Sequence, residues 1–153
     1  MLRNLTPVLA GILAAASAVA LHACGHACTL MGCFDTLTFE FSEPLAEGRW
    51  TVQIEAEGAT VVCAARVPLG DPADTACSVM DAEWTFASSD GQWIPDGIVL
   101  RSAPAEVDVT VLHDGEPVLH ERFRPKYAPF NPNGPECPPT CKHTTLELQA
   151  PSP

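Results

Sequence analysis

Basic residues are scarce in this chain. Eight Lys and Arg stand against 19 Asp and Glu in 153 residues, which gives a formal net charge of −11 at pH 7. Nucleic-acid affinity comes largely from Lys and Arg contacts to phosphates, so this composition argues against a nucleic-acid partner. An acidic balance of this kind is typical of a well-solvated protein surface.

Catalytic and ligand-binding motifs are missing as well. The sequence contains no G-x-S-x-G, H-E-x-x-H, phosphate-loop or EF-hand pattern. The pairs Asp71/Asp74 and Asp90/Asp96 lie in predicted loops, and we interpret them as turn-forming residues in preference to calcium ligands. We therefore predict that the chain is not an enzyme and holds no cofactor. A protein or glycan partner is expected, and the sequence does not identify it.

No apolar run is long enough to be a typical membrane span. The longest extends from Leu5 to Leu21 without a charged residue and follows Arg3. A membrane-spanning helix needs about 20 such residues. A short apolar region behind one positive charge is typical of a secretory signal, which we assign to residues 1–23.

The end of this segment, Leu21-His22-Ala23-Cys24, resembles a bacterial lipobox. The resemblance implies cleavage before Cys24, a diacylglycerol on its thiol and attachment to the membrane through that lipid. Gly25 follows where a retained inner-membrane lipoprotein often has Asp, so the resemblance implies the outer membrane. The alternative is cleavage after Ala18-Val19-Ala20, which would give a secreted or periplasmic chain.

Residues 34–149 carry the signature of short strands, behind a Cys-rich tether at 24–33 and before a tail at 150–153. Leu37, Phe39 and Phe41 alternate with polar residues, the period of a half-buried strand. Hairpin turns are predicted at Glu57-Gly58 and Asp114-Gly115. A turn is also predicted at 95–97, and a covering loop without an element at 125–141. The pattern predicts an all-β, antiparallel, immunoglobulin-like β-sandwich of seven to eight strands, with a small β-barrel as the alternative.

Seven cysteines are an odd number for an exported chain, and lipidation of one would leave six to pair. Cys63 and Cys77 are expected to close the loop between them, worth about 3 kcal/mol in the chain-entropy model. In many immunoglobulin-like sandwiches the first and last strands are parallel neighbours. That arrangement favours Cys33–Cys141 and Cys28–Cys137, each worth roughly 4–5 kcal/mol. Local pairs within 28–33 and within 137–141 remain the alternative.

A periplasmic zinc- or copper-binding protein is the alternative function. Soft thiolates and imidazoles suit zinc or Cu(I), and Met31 suits copper. The spacings C-x4-C and C-x3-C differ from the usual C-x2-C, however, and exported thiols tend to oxidise. We therefore predict disulfides and no metal. The ligands of the alternative would be His26, Cys28, Cys33, Cys137, Cys141 and His143.

Other candidate residues have structural interpretations. His113 and His120 flank the Asp114-Gly115 turn, and we expect them to be exposed hairpin histidines. The alternative is a metal or acid-base site in which they pair with Glu116 or Glu121. The strand alternation is expected to point three aromatic side chains toward the core: Trp50, Trp84 and Phe86. Three further aromatic residues form either an exposed contact surface or a cap on the sandwich, with the cap favoured: Trp93, Tyr127 and Phe130.

The closing N-G-P-x-C-x-x-x-C motif, Asn133 to Cys141, follows a Cys-rich segment before the first strand. Together these features resemble a group of small exported or lipid-anchored β-sandwich proteins of bacteria, over roughly residues 24–149. The resemblance implies fold and location and carries no activity. The overall expectation is a lipid-anchored, disulfide-stabilised module of the outer membrane that binds a partner or supports structure.

Overall fold

The structure, a computed structural model, describes Cys28 and residues 31–149. The predicted signal at 1–23, Cys24 and the tail at 150–153 lie outside the described residues, so those assignments stay predictions. Ten strands are present in the described part. They are β1 (Thr36–Phe41), β2 (Gly48–Ala56), β3 (Ala59–Val67), β4 (Ala76–Cys77), β5 (Ala82–Ser89), β6 (Gln92–Leu100), β7 (Val107–His113), β8 (Glu116–Phe123), β9 (Ala128–Phe130) and β10 (Cys141–Leu148).

The strands form two five-stranded sheets that pack face to face. The first sheet has the order β5-β6-β1-β10-β9 and the second the order β4-β3-β2-β7-β8. Strands β1 and β10 pair in parallel, and every other neighbouring pair is antiparallel. This is the predicted all-β sandwich. The strand count exceeds the prediction because β4 and β9 are short pieces of two and three residues.

Strict alternation places the apolar residues between the sheets. In β2, Trp50, Val52 and Ile54 are buried while their neighbours reach the outer surface. Every buried side chain that the structure describes is apolar. Burial stabilises such a core by about 25 cal/mol per Å² of apolar surface. The core includes Leu37, Phe39, Trp50, Val52, Ile54, Ile98, Val107, Val109, Val111 and Leu148.

Two predicted hairpin turns are confirmed. The φ angles are 51° and 82° at Glu57 and Gly58, and 50° and 92° at Asp114 and Gly115. Positive φ at both central residues defines the type I′ turn, whose twist matches that of the flanking strands. Asp90-Gly91 makes a third such turn between β5 and β6, with φ angles of 51° and 78°.

The turn predicted at 95–97 is wrong, because these residues lie inside β6. The β5–β6 register shifts between Thr85 and Phe86, so the chain bends at a bulge without leaving the sheet. Pro95 is tolerated there because β1 pairs with β6 only from Gly97 onward, and the missing N–H interrupts no bond to β1. Gly97 is required by crowding: an added Cβ would overlap the backbone oxygen of Phe39.

The segment 125–141 is not wholly a covering loop. Ala128–Phe130 forms β9, which extends the first sheet beside β10. Outside the strands, the helical content of the described residues is one 3₁₀ turn, Pro72–Asp74. That part of the chain has no helix with the length and apolarity to cross a membrane.

The sandwich has two distinct ends. At the end that we call the tether end, β1 and β10 begin and β2 finishes. The opposite, distal end carries the Asp90-Gly91 and Asp114-Gly115 turns and the start of β2.

Candidate functional site

Two long-range disulfides join the tether to the first residue of the last strand and to the segment that precedes it. They are Cys28–Cys137 and Cys33–Cys141, with sequence separations of 109 and 108 residues. The parallel pairing of β1 with β10, which sets Thr36 opposite His143, brings these segments together. The structure therefore contains the long-range arrangement that the sequence favours, and the local pairs are not formed.

The Asn133 side chain adds hydrogen bonds between the tether and the segment that precedes β10. Its side-chain Oδ1 accepts the Met31 N–H at 3.1 Å, and its Nδ2 donates to the Met31 carbonyl at 2.9 Å and to that of Pro138 at 2.8 Å. The Lys142 N–H donates to the Asp35 carboxylate at 2.7 Å. The sequence motif did not indicate this role for Asn133, because its contacts with Met31 span 102 residues.

The third disulfide, Cys63–Cys77, joins directly opposite residues of β3 and β4. The loop that it closes contains Asp71, which caps the 3₁₀ turn by accepting the Ala73 N–H at 2.8 Å. The Asp74 carboxylate accepts the Asp71 N–H at 3.3 Å. Both aspartates thus have the turn-forming role that the sequence indicates.

The proposed metal ligands do not assemble as thiolates. All four tether-end cysteines are in disulfides, and the His143 ring meets Phe130 edge-on at 5.8 Å between centroids. His26 lies outside the described residues. Within Cys28 and 31–149, no three His, Cys, Asp or Glu side chains are grouped to hold a metal ion.

The hairpin histidines bond to or stack on groups other than Glu116 and Glu121, the glutamates of the alternative interpretation. His113 stacks on Trp50 at 4.4 Å between ring centroids, and its Nε2 is 2.9 Å from the Glu47 carbonyl. His120 Nδ1 lies 2.9 Å from the Thr110 hydroxyl. His120 is exposed as expected, whereas His113 is partly covered by its stacking partner.

The three remaining aromatic residues do not share one surface. Trp93 is 46% exposed at the distal start of β6, whereas Phe130 is 49% exposed beside Cys141 at the tether end. Tyr127 is partly buried, and its hydroxyl donates to the Pro104 carbonyl at 2.9 Å. Burial raises the pKa of Tyr127 to about 12, with a smaller effect from the Asp35 and Glu57 charges.

The outer face of the second sheet carries opposite charges at its two ends. At the distal end, Arg49 and Arg66 are directly opposed on β2 and β3 and line an open depression of about 300 Å³ with Thr51 and Asp114. At the tether end, a depression of about 290 Å³ is lined by four acidic residues. They are Glu55, Glu57, Glu106 and Asp108.

Two arginines form ion pairs with two of these four acidic residues. Arg122 Nε contacts Asp108 at 2.8 Å and Glu106 at 3.7 Å, and Arg124 Nε contacts Glu106 at 2.8 Å. The hydrogen bond and charge of Arg122 lower the pKa of Asp108. In the described residues, Glu55, Glu57, Arg49 and Arg66 have no side-chain ion pair.

The charge-bearing face was not identified from the sequence, although a signal for its distal end was present. A two-residue hairpin at 57–58 fixes the register of β2 and β3, and this register sets residue 49 opposite residue 66. Comparison with protein-family models, curated proteins and solved structures finds no match to this chain.

Proposed function

We propose that this chain is a lipid-anchored β-sandwich of the bacterial envelope that acts as a non-catalytic binding or structural module. One observation carries the proposal. The residues that follow Cys24 by four and nine positions are cross-linked to the sandwich by two disulfides. A lipid on Cys24 would therefore hold the domain through a covalently braced joint.

The disulfides also support an oxidising location. Three of them are present, and such bonds persist in exported proteins and are rare in the cytosol. The joint ends on β1 and β10, which are adjacent strands within the first sheet. A force applied to the tether would therefore be transmitted to both β1 and β10.

We further propose that the sandwich is immunoglobulin-like. The order β5-β6-β1 packs against β3-β2-β7-β8, and the chain changes sheets after β1, between β4 and β5, and again after β6. This is a Greek-key arrangement of seven strands, as in that fold. Strand β10 then lies beside β1, where a first strand would pair in the usual topology.

Mass spectrometry of the protein purified from a bacterial membrane fraction tests the proposal. The expected mass is that of a chain beginning at Cys24, with a diacylglyceryl group in place of the Cys24 thiol hydrogen and without the six hydrogens lost in three disulfides. Cys24→Ser should move the protein from the membrane fraction to the soluble fraction. An unlipidated chain beginning at Leu21, with Cys24 as a free thiol, would contradict the proposal.

A further inference from the structure

We propose that the outer face of the second sheet binds the same face of a second copy of this chain, with the two copies running in opposite directions. This face carries charges without ion pairs at both of its ends. Arg49 and Arg66 are opposed on adjacent strands, and like charges in that position destabilise a sheet. Glu55 and Glu57 are likewise left without ion pairs at the other end of the same hairpin.

The charges without ion pairs match in position. At the tether end they are Glu55 and Glu57, because the other two acidic residues pair with arginines, and at the distal end they are Arg49 and Arg66, with Asp114 beside them. The two copies are related by a rotation of 180° about an axis that lies in the plane of the interface and runs perpendicular to the strands. This rotation stacks the two faces and reverses the strand direction, so the distal end of each copy lies over the tether end of the other. That operation sets Arg49 and Arg66 of each copy over Glu55 and Glu57 of the other.

Asp114 is a further charge at the distal end. It lines the basic depression on its β7 side, where its Oδ1 accepts the Arg49 N–H at 2.8 Å. The same two-fold rotation sets Asp114 over the start of β7 in the other copy, where Asp108 and Glu106 are compensated by Arg122 and Arg124. A two-fold axis parallel to the strands would instead set arginines over arginines, so charge selects the antiparallel arrangement.

The middle of the face is suitable for close approach because it is uncharged. Its two central rows are made of half-buried, mostly small side chains in cross-strand register. They are Ala64, Thr51 and Leu112 in one row, and Val62, Gln53 and Thr110 in the next. Four strands of about eight residues offer roughly 500 Å² per copy, which is near the lower limit for a specific interface. The association is therefore weak.

Reversal of direction has a consequence for an anchored chain. The tether ends of the two copies lie at opposite ends of the dimer, so copies held in one leaflet by short tethers cannot form it. Copies held on two facing surfaces can. If the proposed anchoring is correct, this face links opposed membranes. The dimer itself does not require a lipid, so a failure of either proposal is recognised separately.

Sedimentation velocity on the purified chain at 0.15 M salt, in detergent if it carries lipid, tests the dimer. At that salt, repulsion between the two acidic molecules is screened beyond about 8 Å. We expect a concentration-dependent dimer that Arg49→Glu/Arg66→Glu weakens by at least ten-fold. Glu55→Arg/Glu57→Arg should do the same. A mixture of the two double variants should restore dimers, because one then has negative charge at both ends and the other positive charge.

A matched control reverses a pair on the first sheet. Arg101 contacts Glu83 at 2.9 Å, and Arg101→Glu/Glu83→Arg should leave the dimer unchanged. Circular dichroism of each variant verifies folding. A chain that stays monomeric at millimolar concentration overturns the inference, and so does a dimer that survives either double reversal. Binding of an anionic ligand at the arginines without any dimer also overturns it.

Discussion

Tyr127 gives the chain a spectroscopic probe of its tether end. It is the single tyrosine of the sequence, and its hydroxyl is tied to Pro104 in the loop that leads into β7. Burial raises its pKa to about 12 in the folded chain, against about 10 for an exposed tyrosine. The folded chain thus retains a proton that the unfolded chain loses between these values, so stability should fall as pH rises above about 10.

Absorbance at 295 nm during alkaline titration measures this ionisation at one residue. We expect a midpoint near pH 12 for the folded protein and near pH 10 in denaturant. Tyr127→Phe should cost about 0.5–1.5 kcal/mol through the lost hydrogen bond, and it should remove the pH dependence assigned to this group. A midpoint near 10 in folded protein would show that the hydroxyl is solvated.

Glu57 occupies a backbone conformation that does not suit it. Its φ is 51° in a type I′ turn, where Asn, Asp and Gly are preferred. We expect Glu57→Asn to raise the free energy of unfolding by roughly 0.5 kcal/mol, because Asn tolerates the left-handed region. Urea denaturation measures the change. Glu55→Asn is the matched control, since it removes a charge from the same acidic group but lies in extended strand, where no gain is expected.

At the scale of elements, β6 depends on a missing side chain at its centre. An added Cβ at Gly97 would lie 2.8 Å from the Thr85 hydroxyl and closer still to the Phe39 backbone. Gly97→Ala should therefore destabilise the protein by about 1–3 kcal/mol through overpacking. Gly32→Ala is the control, because nothing lies within 4 Å of its added Cβ. Thermal unfolding of both variants tests the difference, and an equal effect would contradict it.

The turns that were predicted correctly and the one that was not show which features local sequence can determine. Glu57-Gly58 and Asp114-Gly115 were predictable because the turn and its two strands are contiguous in the chain. Pro95-Asp96-Gly97 has the same turn-forming composition, yet it is strand, since β1 lies against Gly97 and β5 pairs across the bulge. That outcome depends in part on β1, which is distant in the sequence. The role of Asn133 was not predicted for a similar reason, because Met31, its partner, lies 102 residues away.

At the scale of the whole molecule, the disulfide arrangement followed from one topological expectation. If the first and last strands are parallel neighbours, their starts meet, and the structure has β1 and β10 in that relation. The charge polarity of the second sheet was not predicted, although Arg49, Arg66, Glu55 and Glu57 all lie in the β2–β3 hairpin. What the hairpin alone does not show is that the other acidic residues at its tether end are compensated by Arg122 and Arg124, which come from a later part of the chain.

The two tether-end disulfides should stabilise the chain non-additively. Alone, either one closes a loop of over 100 residues and is worth about 5 kcal/mol in the chain-entropy model. With one formed, the other closes a ring of only about ten residues, worth about 3 kcal/mol. We therefore expect Cys28→Ser/Cys137→Ser and Cys33→Ser/Cys141→Ser each to lower the free energy of unfolding by about 3 kcal/mol.

Urea denaturation of the two double-serine variants, with Cys63–Cys77 intact, measures these losses. The shared ring makes the two variants controls for one another, because the same small ring opens in both. Removal of all four cysteines should then cost about 7–8 kcal/mol, more than the two separate losses together, which is half or more of the stability of a typical domain. A loss near 5 kcal/mol in either double-serine variant would show that the bonds constrain the unfolded chain independently.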